Sequence, residues 1–481
     1  MFVNRQQELA YFNGMLTQAR SGPSQLLLLY GRRRLGKTTL LQHWARYSGL
    51  SYTYWQADQG PAALQRRNLY AAVSGETAAE APVMENWSQF WNWLADFLAK
   101  EYGGRILILD ELPLALAADS EMLSSLLPVW NQHLQYSNTV LVLSGSNVRA
   151  MEAIGLPDSP LYGRVTGEWQ LQPLSFHTLR HFFPVWDAAE RIALYSIVGG
   201  IPAYLSWLDP NRSLDENLAE VMLAPGSMFL AEPQLLLYEQ LRELGSYLAI
   251  LRAIATGHHA LSVISRESMI SRTSLMFYLS RLQQLQLVDR RLPVTLNEAQ
   301  RQRSKRGRYF LREPYFRFYF RFIAPHLQRQ QPVQETMQEI SKALPDLVAA
   351  GFEGLAREWI RQQAQGSQAL SPLPFVPEAV GTHWSKGNQA NVVAVNWRTR
   401  DILLGACDWR ETLPVSERMV LDLQEEQTAR LKRDLPDMGE SWTFHYAIFT
   451  RVGLTEAAQA ALLRGGGLVV PLAQLERGLG P

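Results

Sequence analysis

One octapeptide constrains this chain more than any other feature. Gly31-Arg32-Arg33-Arg34-Leu35-Gly36-Lys37-Thr38 has the spacing G-x-x-x-x-G-K-T, between an apolar run at 26–29 and a helical pattern that starts near Lys37. Strand, glycine loop and helix in that order is the context a phosphate-binding loop requires, whereas a basic surface turn needs neither flank. Gly31 and Gly36 let the backbone turn so that successive N–H groups point at one anion, and the helix N-terminus adds its positive dipole. In such a loop Lys37 neutralises the β and γ phosphates of ATP, Thr38 offers its hydroxyl to Mg²⁺, and Thr39 reaches the α phosphate.

A phosphate cradle becomes a hydrolase when a neighbouring strand delivers carboxylates. The apolar run 106–109 ends at Asp110-Glu111. Asp110 is suited to hold Mg²⁺ through water and Glu111 to orient and deprotonate the attacking water. A further apolar run at 140–143 leads to Ser144-Gly145-Ser146-Asn147, so Ser146 or Asn147 is a candidate γ-phosphate sensor, with a plain polar turn as the alternative. Arg164, after Gly163, is a candidate arginine finger or phosphate sensor, with a surface ion pair as the bland reading. Strands alternating with helices predict an α/β fold with a parallel sheet. Between them, Trp87, Phe90, Trp91, Leu94, Phe97 and Leu98 share one helical face and read as core, since base stacking needs no helical period.

With 481 residues the chain is long enough for about three domains. Forty-six Lys and Arg against 45 Asp and Glu exclude a strong global field, so affinity for nucleic acid has to be local. A single cysteine, Cys407, permits neither an intrachain disulfide nor a cysteine zinc cage. Charged residues at Arg5 and Glu8, and no uncharged apolar run of about 18 residues, predict a cytoplasmic protein without a signal peptide or membrane partner. Helical texture follows residue 173, then helices and a hairpin with strands at 288–294 and 308–311, a polar linker at 328–334, a helix at 344–363, and strands at 391–395, 402–404 and 443–449.

These motifs, taken together, resemble the archaeal-type ATPases of the STAND class, relatives of the AAA proteins. Phe2-Val3-Asn4-Arg5 with Glu8-Leu9 resembles that family's N-terminal box, the arginine-rich loop its P-loop, and Gly199-Gly200-Ile201-Pro202 with Tyr204-Leu205 its lid motif. The resemblance implies that Asn4, Arg5 and Pro202 lie at the nucleotide. It also implies four parts: a P-loop ATPase core at 1–174, a helical lid at 175–232, a winged helix-turn-helix at 233–327, and a degenerate endonuclease-like α/β domain at 336–481. The aromatic run from Tyr315 to Phe322 is similar to the segment that closes the winged helix in that family.

The hairpin loop concentrates Arg301, Arg303, Lys305, Arg306 and Arg308 against one acid, Glu298, and the helix at 271–285 offers Arg272 and Arg281. Such a cluster fits DNA phosphates, and a solvated wing used for protein contacts is the alternative. His177 and His181 have helical spacing but no third ligand, and read as ordinary helix residues. In the last domain the resemblance implies a metal site at Glu353, at 389–391 and at 406–408. Here those positions hold Gln389-Ala390-Asn391 and Ala406-Cys407-Asp408, and a migrated site would have to use Asp401, Asp408 and Glu411. Three readings remain: an ATP-driven switch with DNA or protein partners and a tendency to oligomerise, an ATP-regulated nuclease, and a nucleotide-binding scaffold without turnover.

Overall fold

The computed structural model describes residues 3–100, 104–238, 241, 243–365 and 371–480. Contacts divide the chain into two compact units, Met1–Leu174 with Ile201–Ala203, and Ser175–Gly200 with Tyr204–Pro481.

The first unit is built on a five-stranded, all-parallel sheet in the order β2-β3-β4-β1-β5, with β1 at Gln25–Tyr30, β2 at Ser51–Gln56, β3 at Arg105–Asp110, β4 at Val140–Gly145 and β5 at Gly167–Gln170. Every residue of β1 and β4 is buried, as expected for central strands covered on both faces. The order places the C-terminal ends of β1, β4 and β3 side by side, where α/β sheets bind ligands. The aromatic helix Trp87–Leu98 does pack as core: Trp87, Phe90, Trp91 and Leu94 are fully buried and Trp87 stacks on Trp91 at 5.8 Å. Phe97 instead lies half-buried at the edge, against Trp93.

In the second unit, helices Leu244–Ala255, Leu261–Ser268 and Arg272–Gln284 precede an antiparallel hairpin of β6 (Val288–Arg291) and β7 (Arg308–Leu311). A mixed sheet follows, in the order β12-β11-β10-β9-β8, with β8 at Ala379–Ser385, β9 at Asn388–Asn396, β10 at Asp401–Asp408, β11 at Thr443–Thr450 and β12 at Leu468–Pro471. β6 stops short of the expected 294 because Pro293 lacks an N–H. Val294 instead donates to Thr382 O of β8 (3.0 Å) and joins the core of the mixed sheet.

Two expectations about organisation change. The stretch 328–334 is no linker. Gln330 turns the chain at φ +51° between helices Ala324–Arg329 and Val333–Gln365, and the latter starts well before the expected 344. Nor does 175–232 form a body of its own. Helix Ala188–Val198 packs on Val333–Gln365 so closely that a Cβ on Gly351 would meet Ser196 Oγ at 1.9 Å, and Arg191 bridges to Glu476 at 2.5 Å. The first half of the expected lid is thus part of the C-terminal packing, while Ile201–Ala203 groups with the ATPase unit.

Candidate nucleotide site and basic groove

The loop after β1 takes its shape from two glycines. Gly36 sits at φ +85° as the residue before helix Lys37–Tyr47, and a Cβ on Gly31 would meet Leu171 O at 2.7 Å. Lys37 is buried and spends its ammonium on Gly31 O (2.9 Å), Arg32 O (3.2 Å) and Ser146 Oγ (2.7 Å). Burial pushes its pKa down, Glu111 and Asp110 oppose that, and Arg33 adds to it.

Thr38 Oγ1 donates to Asp110 Oδ2 at 2.6 Å, joining the loop to the end of β3. Asp110 is fully buried and also accepts from Tyr54 OH (3.0 Å) and from the Glu111 N–H (3.0 Å). A hydroxyl beside a carboxylate is a hard-oxygen pair, which fits Mg²⁺ held between protein, water and phosphate better than an all-protein cage. Among the described residues no group of three or more His, Cys, Asp or Glu converges to hold a metal by itself.

Glu111 stands in the left-handed region at φ +51°, where the chain turns from β3 into a helix. Its carboxylate accepts from Ser146 Oγ (2.5 Å) and the Ser146 N–H (3.1 Å). Lys37, Ser146 and Glu111 thus form one hydrogen-bonded chain linking the ends of β1, β4 and β3. Ser146, of the two sensor candidates, is the one within this chain. Asn147 caps helix Val148–Gly155 by accepting from the Ala150 N–H (3.2 Å). Thr39 is exposed on the first helical turn.

Of the N-terminal box, Phe2 lies outside the described residues. Asn4 adopts φ +45°. Arg5 is buried and clamps Glu8 (2.9 Å), Gln172 O (3.0 Å) and Leu35 O (3.1 Å), so it fastens the start of the chain to the end of the phosphate loop. Pro202 begins helix Pro202–Trp207 and belongs to the first unit.

Arg164 is a correction. Its Nε donates to Asn131 Oδ1 (2.6 Å), and Thr166, two residues on, pairs with Leu26 near the start of β1. The phosphate loop begins five residues further along β1, about 16 Å away at 3.3 Å per residue. Arg164 therefore stands at the end of the strands opposite the phosphate loop, and the structure does not bring it to Lys37, Thr38 or Asp110.

In the second unit Arg272, Lys305 and Arg306 come together with Arg290, Arg308 and Lys386 around a cavity of about 1000 Å³ that no carboxylate among the described residues lines. Arg281 and Arg303 lie outside it, exposed, with Arg281 turned to Gln284 (3.4 Å). The wing is not a free solvated loop. Trp384 Nε1 donates to Arg306 O (2.9 Å), Thr295 Oγ1 meets the buried His383 Nδ1 (2.7 Å), and His383 Nε2 meets Asp434 (3.0 Å). Sequence reasoning missed Tyr54 and Lys386, whereas Arg290 stood with Arg291 at the base of the expected basic cluster. The alternation Ser-Tyr-Thr-Tyr-Trp-Gln at 51–56 was the available sign of β2 and hence of Tyr54. His177 and His181 have ring centres 6.5 Å apart with no further ligand joining them among the described residues.

At the expected metal site of the last domain, Asn391 Nδ2 donates to Glu353 Oε1 (2.7 Å), and Asp408 is held by both Nε (2.9 Å) and Nη2 (2.5 Å) of Arg410. Asp401 pairs with His445 (2.9 Å) and Glu411 with Arg451 (2.6 Å). Asp401 and Asp408 are the two ends of β10, about 23 Å apart at 3.3 Å per residue, so the acids for a migrated site do not converge.

Residues 2–208 match the family described as an ATPase domain predominantly from Archaea, and residues 319–428 match archaeal and bacterial proteins of unknown function. An uncharacterized protein of Methanocaldococcus jannaschii is 29% identical over 444 residues, covering 90% of this chain and 91% of that one. The Walker-type ATPase of Pyrococcus abyssi superposes with a TM-score of 0.50 at 20% identity, over 66% of this chain and 96% of its own. That likeness establishes the P-loop ATPase fold. No single helix among the described residues is long and apolar enough to cross a membrane.

Proposed function

We propose that the chain binds ATP and hydrolyses it to ADP and phosphate, and that the nucleotide state controls a basic surface in its second unit. The observation that carries this reading is the pair of contacts joining phosphate loop to carboxylates: Thr38 to Asp110 at 2.6 Å, and Lys37 through Ser146 to Glu111 at 2.7 and 2.5 Å. Thr38 and Asp110 are the residues that would hold Mg²⁺, which would neutralise charge on the β and γ phosphates. Lys37 supplies the fixed cation over the same phosphates, and the glycine loop supplies backbone donors. Glu111 orients the attacking water and accepts its proton. Ser146 donates to Glu111 and accepts from Lys37, so a γ phosphate that draws the Lys37 ammonium away competes with Glu111 for the Ser146 hydroxyl donor, and the site registers occupancy. Arg164 is retained only as a residue acting on a neighbouring copy.

The basic groove suits nucleic-acid phosphates, in agreement with a winged-helix reading of the three helices and hairpin. Exposed Phe277 on helix Arg272–Gln284, which does not line the groove, favours a protein partner on that other face. We also propose that the C-terminal domain is not an active nuclease, because Glu353 and Asp408 are each committed to a protein donor.

The test is phosphate release at fixed salt with and without DNA, run on the full chain and on Lys37→Ala. Turnover in the wild type, lost in the variant and altered by DNA, supports the switch. Binding of ATP with no release under any condition would leave only a scaffold.

A further inference from the structure

The expected metal site borders a second cavity of about 750 Å³, lined from helix Ala188–Val198, the hairpin, helix Val333–Gln365 and strands β8 and β9. Its ionisable lining is inverted relative to a metal site. Six arginines, Arg291, Arg308, Arg312, Arg317, Arg321 and Arg357, face three carboxylates, Asp346, Glu353 and Glu358. No lining carboxylate lies within ion-pair distance of any of the six among the described residues.

Several of the arginines are held in place by groups that leave their charge uncancelled. Arg308 lies over the Trp384 ring (5.1 Å); Arg291, over Phe310 (4.8 Å), is the exception, since it also pairs with Asp289 outside the cavity lining (3.6 Å). Arg357 Nη1 donates to Asn391 O (2.5 Å), and Arg317 Nη2 to Ser196 O (3.3 Å). Stacked or carbonyl-bound, a guanidinium keeps free N–H donors and its full charge.

Arg317 Nε goes further: it has no accessible surface and no acceptor. Leaving such a donor unpaired is costly. Burial, then Arg291 and Arg321, push the Arg317 guanidinium down to about 10. Burial likewise lowers His259, with Arg308, Arg291 and Arg317 adding to it, so the excess positive charge extends through the cavity.

The carboxylate side has been weakened in parallel. Asn391 is neutral where the resembling family places an acid, and its Nδ2 occupies Glu353 Oε1 (2.7 Å). Space is left on the helix: a Cβ on Gly354 would meet only Arg357 Nη2, at 3.8 Å.

We propose that this cavity is a metal-free pocket for a phosphate monoester, carried either at the end of a nucleic-acid strand or on a free nucleotide. Several convergent guanidinium forks match a compact dianion with three or more acceptor oxygens, and the volume is that of a nucleotide-sized ligand. The inference does not depend on ATP turnover in the first unit, and it concerns a cavity that shares only Arg308 and Trp384 with the groove lined by Arg272 and Lys305.

The experiment uses the full chain carrying Lys37→Ala, which removes the phosphate loop as a competing site. Binding of a fluorescent single-stranded oligonucleotide with a 5′ phosphate is compared with its 5′-hydroxyl twin, and dAMP is tested in parallel by thermal shift. A preference of about tenfold or more for the phosphorylated strand assigns the strand end; a shift with dAMP and no strand preference assigns the free nucleotide. Either signal should be lost on filling the cavity with Gly354→Leu and weakened about tenfold by Arg312→Gln, with the unliganded melting temperature of Arg312→Gln unchanged. Absence of both signals, or a signal that survives both substitutions, overturns the proposal.

Discussion

Replacing Glu111 with Gln separates chemistry from folding. The Glu111 carboxylate accepts from Ser146 Oγ at 2.5 Å and the Ser146 N–H at 3.1 Å. In Glu111→Gln the amide oxygen keeps the N–H, while the NH₂ donates to Ser146 Oγ, which already accepts from Lys37 and has a second lone pair. The remaining loss is one hydroxyl donor without its carboxylate, about 1 kcal/mol. For a domain of this size that is a melting shift of about 2–4 °C. The left-handed backbone at φ +51° is equally available to Gln, so no new strain enters. Turnover should respond very differently. An amide cannot take the proton of the attacking water, which costs about 10²- to 10⁴-fold, or about 3–5.5 kcal/mol of transition-state stabilisation. The assay is phosphate release at saturating Mg·ATP, with nucleotide affinity and thermal melting measured on the same preparation. The expected result is retained ATP binding, near-native melting and turnover down at least a hundredfold. Turnover within a few-fold of wild type would refute the role of Glu111 and pass the water to another group.

Trp91→Ala removes a fully buried ring whose Nε1 donates to Met122 O (3.0 Å); denaturant unfolding should show a loss of about 3–5 kcal/mol in the first unit. Neutralising Lys305, Arg306 and Lys386, which line the groove, should reduce the salt dependence of DNA binding by up to about 0.9 per lost contact in log–log slope, and Arg281→Gln with Arg303→Gln should do so far less; equal slopes would displace DNA from the groove. His383 is lowered from 6.5 by burial, with Asp434 opposing and Arg306 adding. Its folded pKa lies below the unfolded one, so the unfolded chain takes the proton first and stability is lost as pH falls below 6.5 toward the folded value. A thermal-melt profile of His383→Gln should therefore be flatter than wild type in that range, and identical profiles would place the pH response elsewhere. Mg²⁺ or Mn²⁺ should not support cleavage of single-stranded, double-stranded or branched DNA, with or without ATP; cleavage abolished by Glu353→Gln or Asp408→Asn would restore the nuclease reading.

What the sequence discloses about the site depends on how far apart the cooperating residues lie. The phosphate loop is legible because its chemistry is written in eight consecutive residues flanked by an apolar run and a helix, and Asp110-Glu111 because a fully buried strand ends on them. Ser146 was within reach for the same reason, as the polar end of another buried strand. Tyr54 had only the weaker sign of alternation at 51–56, because its contact with Asp110 exists only if β2 pairs with β3 and β2 lacks a continuous apolar run. Arg164 shows the reverse failure. Its chemistry suits a phosphate, but its place is fixed by Thr166 pairing with Leu26, which puts it at the end of the strands opposite the phosphate loop.

The second unit carries this further. A charge count along the hairpin picks out Arg301 to Arg308 as one cluster, yet the fold sorts them by the company they keep. Lys305 and Arg306 join Arg272 and Lys386, more than a hundred residues apart in sequence, only because Val294 is drawn into the mixed-sheet core and fastens the wing to β8. Arg308 lies between that groove and the arginine cavity, and Arg303 at the end of its short helix enters neither. The same packing that docks the wing brings Ser196 of the expected lid against Gly351 of the long helix. A segment expected to close over nucleotide is therefore built into the body that holds both basic cavities.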